Sequence, residues 1–318
     1  MEVGDFPLKG KIVVITGGGS GINLSFAKLS VAQGARVVIA DLRLTAQAEE
    51  FKASAGDQVI FQQCDVTRWS DLSALSGASE DAFGDSPDVW IAGAGVFEPS
   101  WSSFWDDTAT DHYAELDINV SHPIKLTRLA MQSFMKKGKK GVVLIVASIA
   151  GYLPSFPCPV YSASKHAVVG FTRSMAKVDA TQGVKIGCVC PGYVRTAAHI
   201  PRKVELIRNV ENFLADVPVS DSLVDTPLFS DSIEKTKQFG VSRAVALTPD
   251  EVAQTMAALV EDGKYPGGTC LEITKLGQRV VAPPQIPPAL EIPQTFTERT
   301  HAPVLKKLEA ERQRLTSS

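Results

Sequence analysis

A tyrosine and a lysine share the short stretch Tyr161-Ser162-Ala163-Ser164-Lys165. If that stretch is helical, positions i and i+4 lie on one face and the two side chains meet. A phenol ionises near pH ~10 and is a poor base at neutral pH, but an adjacent ammonium favours the phenolate and lowers that value. Spaced this way, Tyr161 could exchange a proton with an alcohol or a carbonyl oxygen while Lys165 tunes it. The apolar run ending in Val146-Ala147-Ser148 comes just before. Ser148 therefore falls at the carboxyl end of a strand, where its hydroxyl could hold the reacting oxygen.

A second group reads as an anion site. Thr16-Gly17-Gly18-Gly19-Ser20-Gly21-Ile22 links an apolar run to a helical pattern over residues 23–33. Glycines at such a turn let backbone N–H groups approach a pyrophosphate, and the start of a helix adds positive potential. Asp41 closes the next apolar run about twenty residues on, where a carboxylate can accept hydrogen bonds from an adenosine ribose. The same carboxylate repels a ribose 2′-phosphate, and neither Ser20 nor Leu42 brings a cation, so NAD is favoured over NADP. Arg43 is the one nearby cation.

These residues need a scaffold that brings strand ends together. Val/Ile-rich runs at 11–16, 36–41, 59–63, 89–93, 142–147, 184–189 and 269–273 alternate with segments of helical length. Continuous apolar strands separated by helices imply a parallel sheet covered on both faces. The expectation is an α/β, doubly wound, Rossmann-like sheet of about seven strands in three layers. Thr248-Pro249-Asp250-Glu251 reads as a capped helix start, with Gly263 at its end. Residues 1–273 are expected to form one catalytic domain. Residues 193–247 interrupt the alternation and hold scattered apolar clusters, so they are read as a helical substrate lid. Residues 274–318 are read as a Pro-rich extension in which Leu305, Leu308 and Leu315 could make one weak helical stripe, an arm lying on the surface or on a neighbouring subunit, with a disordered tail as the alternative.

The 318 residues include 44% hydrophobic and 21% charged side chains, a balance that buries a core. A formal charge of −3 without a long basic run argues against nucleic acid. No apolar stretch is long enough for a bilayer, and the acidic start Met1-Glu2-Val3-Gly4-Asp5 is unlike a leader, so a cytoplasmic location without membrane attachment is expected. Cys64, Cys158, Cys188, Cys190 and Cys270 form no Cys-x-x-Cys pair, and His112, His122, His166 and His199 lack metal-ligand spacing, so no metal is expected. Cys188 and Cys190 point to one face of a strand, as small buried hydrophobes. Trp101, Phe104 and Trp105 either line a wide apolar pocket or pack the edge of the fold.

In order along the chain, Thr16-Gly17-x-x-x-Gly21, Ser148, Tyr161-x-x-x-Lys165 and Pro191-Gly192-Tyr193-Val194-Arg195-Thr196 resemble the short-chain dehydrogenase/reductase family over about residues 8–275. The long insertion and Pro-rich tail are similar to fungal members of secondary-metabolite pathways and, more distantly, to hydroxyprostaglandin-type dehydrogenases. The resemblance implies a catalytic tetrad of Asn119, Ser148, Tyr161 and Lys165, with Lys165 also on the nicotinamide ribose and Asn119 holding a water. It implies cofactor contacts from Gly17, Gly19, Ser20, Gly21, Ile22, Asp41, Asp65, Val66, Gly95, Pro191, Gly192, Val194 and Thr196. Phe97, Leu153, Phe156, Cys158 and Tyr193 are expected around a small-molecule substrate. A homodimer or homotetramer built from helices beside the active-site helix is also implied.

Two positions depart from the family pattern. Asn23 stands where the third glycine of the turn is usual, which would set the first helix further from the sheet. Ala92-Gly93-Ala94-Gly95 replaces Asn-Asn-Ala-Gly, removing an amide that steadies the central sheet. The expected activity is NAD-dependent interconversion of a secondary alcohol and a ketone on a bulky apolar metabolite. The alternatives are an NADP-dependent ketoreductase and a dinucleotide-binding scaffold without redox chemistry.

Overall fold

Runs of Val and Ile buried on both faces build the centre of the protein. A computed structural model describes residues 2–107, 110–192, 246–284 and 294–317. The strands are β1 (Ile12–Thr16), β2 (Arg36–Asp41), β3 (Val59–Gln63), β4 (Val89–Ala92), β5 (Gly141–Val146), β6 (Val184–Pro191), β7 (Cys270–Thr274) and β8 (Gly277–Val280). They form one sheet in the order β3-β2-β1-β4-β5-β6-β7-β8. All pairs are parallel except β7–β8. The order reverses between β1 and β4, and an open α/β sheet of this kind binds ligands at the crevice formed there.

Helices cover both faces, as parallel strands require. Alternate residues of each strand point to opposite sides. Val13, Ile15, Val37 and Ile39 pack under α1 (Gly21–Ala32) and α8 (Pro249–Glu261), against Phe26, Val252 and Met256. Val14, Val38 and Trp90 pack on the other side under α3 (Trp69–Phe83), α5 (His122–Lys137) and α6 (Pro159–Ser174), against Leu72, Leu126, Phe134 and Val168. Helices α2 (Ala46–Ala55) and α7 (Lys177–Gln182) and the single turn α4 (Ala114–Leu116) complete this part of the chain. All five cysteines are free and buried, and the Cys188 and Cys190 sulfurs lie 3.9 Å apart on one face of β6.

The start of α8 has both halves of the capping box, Glu251 N–H to Thr248 Oγ1 at 3.2 Å and Thr248 N–H to Glu251 Oε2 at 2.6 Å. Its end falls as expected just before Gly263, with Asp262 as the C-cap. The helix stops at Glu261, and Gly263 is small because a Cβ there would lie 3.0 Å from Asp5 N, within a contact to the N-terminal segment.

The sheet has eight strands, one more than expected, because the chain turns back at Gly277 and adds β8 antiparallel to β7. Strand β8 is exposed along its length, so its sequence carries no buried-face alternation. The tail therefore begins by extending the sheet. It ends in α9 (Gln294–Thr316), which lies on α5 of its own chain. Leu308 is buried there and Leu315 packs against the same cluster, while Leu305 stays exposed. Arg128 pairs with Glu311, Gln132 Nε2 donates to Glu311 Oε1 at 2.9 Å, and Arg312 Nη2 donates to Gln182 Oε1 at 2.8 Å. Nearly all of the expected lid, with Tyr193, Val194 and Thr196, lies outside the described residues; Ala246 and Leu247 at its end are buried.

Candidate active site

The turn after β1 is built for close approach. Gly17 has φ +69°, and a Cβ on it would lie 2.7 Å from the Ala94 Cα; one on Gly19 would lie 2.7 Å from the Arg43 carbonyl oxygen and 2.9 Å from Asp41 Oδ2. Side chains are thus excluded where backbone must meet a ligand. Ser20 is the N-cap and Gly21 the first residue of α1, so free N–H groups and the helix dipole face the same crevice, with Ile22 half-buried behind them. Such a cradle fits a dinucleotide pyrophosphate.

Asp41 ends β2 beside this turn. Its Oδ2 accepts the Gly19 N–H at 2.9 Å and its Oδ1 the Leu42 N–H at 2.7 Å. Burial pushes its carboxyl above the usual range, partly offset by those N–H donors and by Arg43. With backbone N–H groups of Gly19, Leu42 and Arg43 on it, the carboxylate keeps one lone-pair site for a ribose hydroxyl. Val66 is buried near the end of β3. Asp65 is occupied with Thr67, accepting from Thr67 N at 3.0 Å and Thr67 Oγ1 at 2.7 Å.

The two departures from the family pattern meet in space. A Cβ on Gly93 would lie 2.4 Å from Asn23 Oδ1, so the Asn23 side chain fills the room that a side chain at 93 would take. Asn23 Nδ2 donates to the Gly17 carbonyl at 3.2 Å, which keeps α1 against the loop instead of further out. Beneath them, Thr16 Oγ1 accepts the Gly93 N–H at 3.0 Å and lies 3.0 Å from His122 Nε2. His122 is fully buried, its Nδ1 is 3.0 Å from the Ile118 carbonyl oxygen, and burial lowers its pKa to about 4. A neutral ring with Nδ1–H donating to Ile118 leaves Nε2 an acceptor facing the Thr16 hydroxyl, whose one proton is shared with the Ile91 carbonyl oxygen at 3.0 Å. This network ties β1, the loop after β4 and α5 together.

Across the crevice, α6 places Tyr161 and Lys165 on one inward face, both buried. Lys165 Nζ lies 5.5 Å from the centroid of the Tyr161 ring and donates to the Val146 carbonyl oxygen at 2.9 Å. Ser148 follows β5 and bears on the Tyr161 phenol, opposing the rise in its pKa, while its Oγ accepts the Ala150 N–H at 3.2 Å. Asn119 sits in a π-turn (Asp117–Ser121), the wide kind of turn that often marks functional sites. Its Oδ1 accepts the Val96 N–H at 2.9 Å, and its Nδ2 faces the Val96 carbonyl oxygen at 2.9 Å, Glu115 Oε1 at 3.1 Å and Ser164 Oγ at 3.2 Å. Gly95 lies between them, since a Cβ there would be 3.2 Å from Asn119 Oδ1 and 3.6 Å from Lys165 Nζ. The four tetrad residues converge.

The electrostatics correct one expectation. Burial pushes the Tyr161 phenol well above its ordinary range, Ser148 opposes this, and Glu115 adds to the rise. Burial also lowers Lys165 to about 8, against the pull of Glu115. The loss of solvent outweighs the opposing pulls on the phenol, and the Lys165 ammonium is turned to Val146.

Of the expected pocket residues, Phe97 stacks edge-on against Tyr161, with centroids 4.6 Å apart. Cys158 is buried at the N-cap of α6, with its Sγ 2.9 Å from Ser155 Oγ. Leu153 and Phe156 are exposed, Phe156 to 80%. Trp101, Phe104 and Trp105 are each about half exposed, at 46%, 48% and 52%. Trp105 meets Phe156 at 4.9 Å, and its Nε1–H donates to the Phe156 carbonyl at 3.1 Å, joining the two loops. Pro191 ends β6, and the Gly192 N–H donates to Ile273 O at 2.8 Å, which places both at the same carboxyl edge of the sheet. Glu98, Glu115 and His122 were not foreseen as site residues; in sequence nothing distinguishes a buried acid from a solvated one.

A dinucleotide cradle facing a buried Tyr–Lys–Ser–Asn cluster defines a dinucleotide-dependent oxidoreductase. The chain belongs to the short chain dehydrogenase family, whose model matches residues 11–205. The NAD(+) 15-hydroxyprostaglandin dehydrogenase of Homo sapiens is 30% identical over 276 residues, covering 84% of this chain and 92% of that protein. Momilactone A synthase of Oryza sativa is 30% identical, covering 84% and 89%. A short-chain dehydrogenase/reductase of Penicillium roqueforti is 33% identical over 195 residues, 59% of this chain and 56% of that one. The fold also matches a 3-ketoacyl-(acyl-carrier-protein) reductase from Brucella melitensis solved with NADH, at TM-score 0.62 and 24% identity, covering 84% and 97%. Among the described residues no helix is long and apolar enough to cross a membrane.

Proposed function

We propose that this protein interconverts a secondary alcohol and a ketone with NAD, acting on a bulky, mostly apolar hydroxylated metabolite. The observation that carries the reading is the shared inward face of Tyr161 and Lys165, with Lys165 Nζ 5.5 Å from the centroid of the tyrosine ring. Gly17, Gly19, Ser20, Gly21 and Ile22 would hold the pyrophosphate, Asp41 the adenosine ribose, Asp65 and Val66 the adenine side, and Gly95, Lys165, Pro191 and Gly192 the nicotinamide half. The bound dinucleotide supplies a nicotinamide carbon that takes or gives a hydride.

The chain's own residues handle the proton. Tyr161 Oη gives it to the carbonyl oxygen in reduction and takes it from the hydroxyl in oxidation. Ser148 Oγ holds that oxygen as its charge changes. Lys165 orients the ribose and, charged, favours the phenolate; Asn119 fixes the loop that carries Gly95. Phe97 packs on the tyrosine, and Leu153, Phe156 and Trp105 offer apolar surface beside it.

NAD is supported by the Asp41 carboxylate at the ribose position and by the NAD(+) in the name of the human relative. That name also specifies a hydroxylated compound, in line with the alcohol read here. A homodimer or homotetramer is part of this proposal, as is a place in secondary metabolism. The test is a panel of secondary alcohols, from polyols to 1-(2-naphthyl)ethanol, offered with NAD and NADP. Turnover of aryl or long-chain alcohols with NAD is expected. Activity confined to small polyols overturns the substrate class, and tighter NADPH than NADH binding overturns the cofactor.

A further inference from the structure

The loop leaving β4 turns at Glu98, whose φ of +39° puts a residue with a side chain in the left-handed region. Glu98 is 1% exposed. A buried carboxylate on an unfavourable backbone persists only where its surroundings over-determine it. Here one oxygen accepts the Phe104 N–H at 3.0 Å and the other the Tyr161 N–H at 2.8 Å. The Glu98 N–H donates to Glu115 Oε1 at 3.1 Å, and that same oxygen accepts from Asn119 Nδ2 at 3.1 Å. Glu115, also buried, donates its own N–H to Ser102 Oγ at 3.0 Å.

The bond to Tyr161 has a particular meaning for α6. Its N-cap, Cys158, makes no side-chain capping bond, and the first helical residue is Pro159, which has no N–H. Tyr161 is the third helical residue, whose N–H a capping side chain ordinarily takes. Glu98, from a different loop, does so instead, and places a negative charge at the positive end of the helix. Its second oxygen meanwhile holds the aromatic segment that brings Trp105 to Phe156.

We propose that Glu98 and Glu115 are positioning residues, a two-carboxylate clamp that fixes Tyr161, Asn119 and the Phe97–Trp105 wall in one frame. The wall that meets the substrate and the group that moves the proton are thereby held in register. This rests on the reading of Tyr161 as the acid/base. Glu98→Gln keeps the side-chain shape but replaces one of two accepting oxygens with an NH2 that cannot take an N–H bond, whereas both bonds to Glu115 fall on its Oε1, so Glu115→Ala is the variant that removes them.

The test measures oxidation of 1-(2-naphthyl)ethanol by NAD, or of whichever panel alcohol the unaltered protein turns over best. Rates are expressed per NADH-binding site titrated by fluorescence, so unfolded chains do not count. Glu98→Gln is expected to lower kcat about tenfold, and Glu98→Ala and Glu115→Ala about a hundredfold, with NADH affinity within about twofold of the original. Unchanged kcat per site in all three overturns the clamp. Loss of NADH binding along with turnover also counts against it, since the Gly17–Gly21 turn lies elsewhere. Tyr161→Phe, run in parallel, separates the two failures. If it retains turnover, the acid/base reading falls; if it alone is inactive, the clamp falls.

Discussion

Burial moves the two ionisable groups of α6 in opposite directions, the Tyr161 phenol up and the Lys165 ammonium down to about 8. A raised phenol keeps its proton at neutral pH, which suits reduction, whereas oxidation needs the proton gone. Oxidation should therefore climb with pH while ketone reduction holds its rate, and kcat/KM followed in both directions from about pH 6 to about pH 10 checks this. Parallel profiles in the two directions would contradict it. Lys165 carries a stability consequence with a definite sign. Its folded pKa is below its ordinary 10.5, so between about 8 and 10.5 the unfolded chain binds the extra proton and stability rises with pH. In Lys165→Met that rise should vanish, and the melting temperature at pH ~7 should increase by a few degrees. Melting curves of the cofactor-free protein across that window decide it. The Tyr–Lys spacing was readable from the sequence because i and i+4 residues meet on any helix. The direction of the tyrosine shift was not, because it depends on how much solvent the fold removes.

Elements place these side chains, and most of them could be read in advance. Strands β1, β2, β4 and β5 are near-continuous apolar runs rich in Val and Ile because both of their faces are covered, and a buried parallel strand leaves that mark. Strand β8 leaves none: Gly277-Gln278-Arg279-Val280 is exposed and held by its pairing with β7, where Arg279 forks onto Glu272 at 2.8 Å. The π-turn around Asn119 is also silent, since one extra residue in a helical turn changes no composition. At Asn23 and Gly93 each departure was visible alone, but their contact was not. Gly93→Asn by itself should overpack the loop against Asn23, lower the melting temperature and weaken NADH binding. Adding Asn23→Gly should recover most of both losses. Thermal unfolding of the two single variants and the double should give a coupling of about 1–3 kcal/mol. Additive effects would show that the two positions do not compensate.

At the scale of the whole molecule, the tail does more than its Pro-rich composition suggests. Leu308 and Leu315 reach the α5 cluster as a helical stripe should, and the Arg128–Glu311 pair and the Gln132 contact fasten α9 there. The sequence allowed the arm to lie on its own surface or on a neighbour, because a stripe states what it covers and not whose. Covering α5 bears on assembly, since the family resemblance builds its dimers from helices beside the active-site helix. If the proposed homo-oligomer forms through another face, the full chain and a chain ending at residue 284 should have the same number of subunits by light scattering. The shorter one should melt a few degrees lower. A larger species on truncation would show instead that α9 blocks the interface.

The central claim is that Tyr161 exchanges the proton while the neighbouring cradle presents a dinucleotide for hydride transfer. Its most direct measurement is mass spectrometry of NAD after incubation with a secondary alcohol deuterated at the carbinol carbon. The unaltered protein should leave one deuterium on the nicotinamide. Tyr161→Phe should bind NADH equally well and transfer deuterium at least about a hundredfold more slowly. Transfer at an undiminished rate by Tyr161→Phe would contradict the account.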